Sequence, residues 1–264
     1  TGRYFNHNVH SVRVLDDMVN WNISLQTLDG ILCHNGELEL KEYRPCGMST
    51  FVEYDKKVEA CYVDENAIGE LIPCTLEGCV MRICDIIAYL GKDRQDAMRL
   101  NLLKESPFTA GAIGTSNGEI INNFSVNIIE NSYGKDYLKM DEEYFDALRQ
   151  AKKENYEMIY NNKSLNDLYE NEIRPMFGEL YEELLRQAES GDKSSVFYRH
   201  HMAYMEKNNF YVKSHVRKPY AEQEKNQLVV DYLASMTDDY FIALYHYLFP
   251  KGKHDVKFVG YFDL

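Results

Sequence analysis

Residues 84–97 read Cys-Asp-Ile-Ile-Ala-Tyr-Leu-Gly-Lys-Asp-Arg-Gln-Asp-Ala, and this stretch decides the fold class. A helix turns about 100° per residue, so Asp85, Tyr89, Lys92, Asp93 and Asp96 share roughly a 100° arc. Ile83, Ile86, Ile87 and Leu90 fall on other faces. Asp85 thus stands among apolar neighbours at the start of a polar stripe. A buried carboxylate is costly unless it is paired or holds a metal. A solvated face laced with i,i+4 pairs is the competing reading of the same pattern.

Outward from this helix, most of the chain carries the same periodicity. Residues 6–19 and 24–34 read as helices, and 74–104 as one or two. Ser116-x-x-Glu119 is a capping-box pattern ahead of Ile120, Ile121, Phe124 and Ile128. Phe145, Leu148, Tyr156 and Ile159 mark a further helix. A long one follows over Leu165–Leu184, with Pro175 as a kink or restart. Residues 224–249 close the set. Residues 38–66, with Thr50-Phe51-Val52-Glu53-Tyr54, read as loop with a short hairpin. Residues 208–216 and 255–262 read as short strands. The expectation is an all-α, mainly helical chain with small β additions. No composition break divides it, so residues 1–264 are expected to form a single domain.

Composition narrows the function classes. The 29 Lys and Arg against 42 Asp and Glu give a net charge of −13. Coating nucleic acid or an anionic membrane takes many cations, so nucleic acid is not expected as the main partner. No apolar run reaches about 18 residues, so no membrane span is expected. Six cysteines, at 33, 46, 61, 74, 79 and 84, form no C-x-x-C pair. The five-residue steps from Cys74 to Cys79 to Cys84 match no usual zinc framework. Buried free thiols in a cytoplasmic protein are the expectation.

A second cluster lies near the start, in His7-Asn8-Val9-His10-Ser11-Val12-Arg13. His7, His10 and Ser11 share a helical face, with Arg13 at its edge. Imidazole exchanges protons near neutral pH, and Arg clamps phosphate bidentately. A surface or structural role for these side chains is the alternative. The Tyr198-Arg199-His200-His201 run is a third cluster, read either as a phosphate or subunit contact or as a solvated helix end.

The Asp85 and His7 clusters resemble those of the HD-domain deoxynucleoside triphosphate triphosphohydrolases, the dGTPase-like family. FNHNVHSVRVL at 5–15 looks like the family's F-x-H-N-x-Q-S-x-R helix. LQTLDGILCHNGE at 25–37 looks like its L-T-x-x-T-L-x-G-L-L-x-H-x-G segment. CTLEGCVMRICDIIAYLGKDRQDA at 74–97 and VVDYLASMTDDYFIALYHYLF at 229–249 carry the two most specific matches.

The resemblance implies an all-helical fold with a metal held by a His, a His-Asp doublet and a distant Asp. It assigns Asp85 as that metal ligand and His7 as the catalytic histidine near the reacting phosphate. Tyr89 and Asp93 match substrate-binding positions; apart from the resemblance, a triphosphate in a chain of this charge needs cations, and Lys92, Arg13, Arg82 and Arg199 are available as substrate-binding phosphate contacts. The implied reaction converts a dNTP to deoxynucleoside and triphosphate, with a divalent ion as cofactor. Mg or Mn suits a carboxylate best, while Fe, Co, Ni or Zn suits imidazole. A homo-oligomer is implied as well. The His and His-Asp ligands of the family pattern lie upstream of the FNHN helix. The chain, starting Thr1-Gly2-Arg3, therefore reads as the C-terminal two-thirds of such an enzyme. Two alternatives stand beside it: a catalytically incomplete nucleotide-binding or oligomerisation module, and an HD phosphohydrolase acting on another phosphate ester.

Overall fold

In the computed structural model, which describes residues 2–19, 21–35, 39–47, 50–103, 108–208 and 219–256, local capping signals set most helix starts. The described residues gather into two compact units. One holds residues 2–13 and 22–162, the other residues 14–21 and the chain from 163 on.

The first unit contains α1 (His7–Arg13), α2 (Leu25–Leu32), α3 (Phe51–Val63), α4 (Leu76–Arg99), α5 (Asn117–Ser132) and α6 (Glu142–Asn155). Ser24, Thr50, Thr75, Ser116 and Asp141 cap five of these helices, each side chain accepting from the backbone N–H three residues on. Ser116 and Glu119 complete the capping box reciprocally. The hairpin expected over 38–66 is not what forms among its described residues. Thr50-Phe51-Val52-Glu53-Tyr54 opens α3, because Thr50 Oγ1 accepts from the Glu53 N–H at 3.2 Å. That cap overrides the β propensity of Phe51 and Val52. The β addition is instead a two-residue pair of distant segments. Strand β1 (Glu42–Tyr43) runs antiparallel to β2 (Leu138–Lys139), with Tyr43 opposite Leu138.

Helix α4 runs unbroken through the centre of this unit. Its apolar side buries Cys79, Ile83, Ile86, Ile87 and Leu90 against Ile120 and Phe124 of α5 and Leu148 of α6. A second core joins Val9 and Val12 of α1 to Leu28 and Leu32 of α2 and Tyr54 of α3. Two glycines set the approach of α4 to its neighbours. A Cβ on Gly78 would lie 3.6 Å from the Gly30 backbone of α2, and 2.7 Å from Pro73 Cβ. A Cβ on Gly91 would lie 2.7 Å from Asn117 Cα, at the start of α5.

The second unit contains α7 (Lys163–Leu168), α8 (Arg174–Ser190), α9 (Ala203–Asn208), α10 (Lys225–Ala234) and α11 (Asp238–Leu248). Pro175 sits in the first turn of α8, directly after a π-helical turn over Tyr169–Ile173. It thus marks a restart, where its missing N–H costs nothing. Met176, Leu180 and Leu184 of α8 pack with Leu228, Val229, Leu244 and Tyr245 of α10 and α11. The strands expected over 208–216 and 255–262 lie almost wholly outside the described residues. All six cysteines are free thiols, but only Cys33, Cys61 and Cys79 are buried.

Candidate functional site

The polar stripe of α4 is half-buried, as its place among isoleucines requires. Asp85, Tyr89 and Asp93 all have intermediate exposure, one helical turn apart. Asp93 is fixed from outside its own helix. Tyr160, in the π-helical turn Tyr156–Tyr160 after α6, donates its hydroxyl to Asp93 Oδ2 at 2.5 Å. Burial, and then the adjoining Asp93 carboxylate, push the Tyr160 hydroxyl well above its usual range. It keeps its proton and acts as a donor, leaving the other Asp93 oxygen able to accept.

Lys92 is exposed on the neighbouring edge of the stripe, and its ammonium pairs with Asp96 at 2.6 Å, one turn on. Beneath the stripe, Arg94 points inward and is buried. It bonds Asn155 Oδ1 at 2.8 Å, the Ala151 carbonyl at 3.0 Å and Glu154 at 3.1 Å. Asn155 closes the set by donating to the Leu90 carbonyl at 3.1 Å. Helix α6 is thereby locked to α4, and Tyr160 is delivered to Asp93 just past its end. Arg82, a candidate phosphate contact in the sequence, is instead buried and donates to the Leu71 carbonyl.

His7 opens α1 and is exposed. Its ring meets the edge of His34 at 5.2 Å between centroids. His34 lies just past α2 and is built in from below. Its Nδ1 is 2.5 Å from the Ile31 carbonyl, which can only accept. The same Nδ1 lies 3.2 Å from the side-chain amide nitrogen of Asn8. Buried Asn8 bonds the next carbonyl of α2, that of Leu32, at 3.1 Å. These contacts satisfy carbonyls that a helix C-terminus leaves open. His34 also lines a cavity of about 620 Å³ with Thr27, Gly30 and Ile31 of α2 and Gly78 and Met81 of α4.

Asp29 supports the same corner from inside. It is fully buried, accepts from the Cys74 N–H at 2.6 Å and pairs with Lys57 at 3.3 Å. The segment entering α4 is held there. Asp29, His34 and Tyr160 were not singled out from the sequence. His34 and Asp29 lie inside the LQTLDGILCHNGE motif, so a polar residue within an apolar helical run was a usable signal. Tyr160 gave none, being 67 positions from Asp93.

The structure thus brings Asp85, Tyr89 and Asp93 onto one face and sets His7 beside His34. Among the described residues, no group of three His, Cys, Asp or Glu side chains converges as a metal centre. Asp85 alone offers a single carboxylate, which does not by itself make a divalent-ion site.

A phosphohydrolase-associated domain matches residues 138–247, from β2 through most of α11. A deoxyguanosinetriphosphate triphosphohydrolase-like protein of Caldanaerobacter subterraneus subsp. tengcongensis is 27% identical over 67% of this chain and 47% of its own length. Those of Clostridium perfringens (strain SM101 / Type A) and Clostridium tetani are 26% and 25% identical over 89% and 94% of this chain. The chain is thus similar, over most of its length and at low identity, to dGTPase-like proteins. It spans about half to three-fifths of the length of these curated relatives, at 47%, 58% and 60%. No solved structure matches it. The α4 stripe precedes the matched domain, while Tyr160 lies within it. No helix among the described residues is long and apolar enough to cross a membrane.

Proposed function

We propose that the protein hydrolyses deoxynucleoside triphosphates to deoxynucleoside and triphosphate, with α4 forming one wall of the substrate site. The observation that carries this reading is the half-buried line Asp85–Tyr89–Asp93, with Asp93 held by a donating Tyr160. A wall with two carboxylates repels phosphate and suits a sugar hydroxyl or a cation. Asp93 accepts the sugar 3′-hydroxyl through its free oxygen. Tyr89 packs against the sugar and turns its hydroxyl to the phosphate side. Asp85 supplies one ligand to a divalent cation, Mg or Mn by its hard oxygen, and the remaining ligands come from outside the described residues. His7 contacts the phosphate or donates a proton to the leaving 5′ oxygen. Lys92 reaches the phosphate tail by giving up its exposed pair with Asp96, a pair worth at most about 1 kcal/mol.

The test is product analysis. The full-length protein is incubated with each dNTP and a divalent metal, and the products are separated. Free deoxynucleoside with intact triphosphate is the expected result. Release of orthophosphate from any of these substrates would place the protein among phosphatases of another ester. Asp85→Asn should abolish turnover. Asp93→Asn should raise KM for the deoxynucleotide, because the sugar hydroxyl loses its charged acceptor.

A second reading is favoured by one observation, the lack of a converging ligand group among the described residues. On that reading these 264 residues bind nucleotide or pair with another chain without doing chemistry. Nucleotide binding with no product under any metal would support it.

A further inference from the structure

The Tyr198-Arg199-His200-His201 run divides its side chains between two environments. Phe197–Met202 is a π-helical turn that turns His201 inward, where it is buried, and leaves Arg199 and His200 outward. Arg199 and His200 line a groove of about 660 Å³ with Lys207 of α9. Three tyrosines line it as well, Tyr204 of α9, 59% exposed, Tyr232 of α10 and Tyr240 of α11, with Ser235, Met236 and Thr237 between the last two. No acidic side chain lines it among the described residues. That is a sharp local inversion in a chain of charge −13. Glu206 and the first-turn residues Asp238 and Asp239 are exposed nearby but are not part of the lining.

The groove is built from below. His200 Nδ1 meets the Tyr240 hydroxyl at 2.7 Å, and that hydroxyl meets Tyr232 at 2.5 Å. His201 stacks beneath Tyr232 at 4.8 Å and 20°. The aromatic floor is therefore fixed, while Arg199 and Lys207 show no acidic partner among the described residues. Two cations beside fixed aromatic faces suit a ligand with both a phosphate and a flat ring. The volume falls within the usual range for a small-molecule pocket, roughly 300–1,000 Å³.

We infer that this groove binds a nucleoside phosphate. Arg199 and Lys207 hold the phosphate, and the base stacks on Tyr204 above the Tyr232–Tyr240 floor. The inference does not rest on the α4 reading, since the groove belongs to the other compact unit.

Isothermal titration with adenosine diphosphate, inorganic phosphate and adenosine, in chelator and without divalent metal, tests it. Adenosine diphosphate should bind more tightly than either fragment. Arg199→Ala and Lys207→Ala should each weaken it by about tenfold, the worth of one charge-assisted hydrogen bond. Tyr204→Ala should weaken adenosine diphosphate and leave inorganic phosphate unchanged. These three side chains are exposed, so the variants should unfold at the parent temperature. Asp93→Asn should leave the binding intact. Adenosine diphosphate binding no better than phosphate, or undiminished by both cation substitutions, overturns the inference. So does binding lost in Asp93→Asn and kept in Arg199→Ala, which would put the ligand on α4.

Discussion

His201 shows how burial makes one side chain report on pH. Its Nε2 lies 2.7 Å from the Tyr220 hydroxyl, and that hydroxyl lies 3.0 Å from Asp231 Oδ2. A carboxylate can only accept, so Tyr220 donates to Asp231 and accepts from His201. The neutral ring thus carries its proton on Nε2. Burial lowers its pKa from 6.5 to about 4, with Asp231 pulling weakly the other way. Between those values the unfolded chain holds a proton that the folded one refuses, so stability is full above pH 6.5 and falls as pH drops toward 4. The loss approaches about 3 kcal/mol at 1.36 kcal/mol per unit. Urea unfolding at steps from pH 7 to pH 4 should show the decline, and His201→Phe should flatten it. An unchanged slope in that variant would assign the acid sensitivity to other groups.

At the level of elements, two glycines with the same helix propensity should respond in opposite directions. Ala is about 1 kcal/mol better than Gly in a helix interior. In α8 a Cβ at Gly178 meets nothing within 4 Å, so Gly178→Ala should raise stability by roughly that 1 kcal/mol. In α4 a Cβ at Gly91 falls 2.7 Å from both Cα and Oδ1 of Asn117. Backbone cannot yield as a flexible side chain does, so Gly91→Ala should lower stability by about 1–3 kcal/mol. Paired denaturant titrations decide it, and a stabilised Gly91→Ala would mean α5 moves freely against α4. The same contrast explains what the sequence made legible. The α4 stripe and the capping box at Ser116 are local patterns, with spacing set by one helix, and both were readable. The start of α3 was misread because Phe51 and Val52 favour strand while the deciding bond belongs to Thr50. The π-helical turns that place Tyr160 and separate His200 from His201 have no periodic signature. The pairing of Asp93 with Tyr160 follows from packing of α6 on α4 through Arg94 and Asn155, which no short window contains.

For the molecule as a whole, charge and ligand count give opposing expectations about metals, and they can be separated. With 42 acidic residues, the chain should attract divalent cations weakly and everywhere. Tight binding needs several converging donors, and the described residues bring no three together. Asp85 by itself should therefore retain no ion through dialysis. We expect elemental analysis of these 264 residues, dialysed after exposure to Mn, to find well under one equivalent. Thermal unfolding provides an independent readout. An ion bound to the folded state at a thousand times its Kd would add about 4 kcal/mol and raise the midpoint visibly. Screening by loosely held ions should saturate alike for Mg, Mn and Ca and vanish in moderate salt. Asp85→Asn separates the two cases further, since diffuse attraction loses only one charge among many. A full equivalent of Mn that disappears in Asp85→Asn would show that residues outside the described set complete the site within this chain. It would also remove the second functional reading, because a site that tight would be the first requirement of the hydrolase.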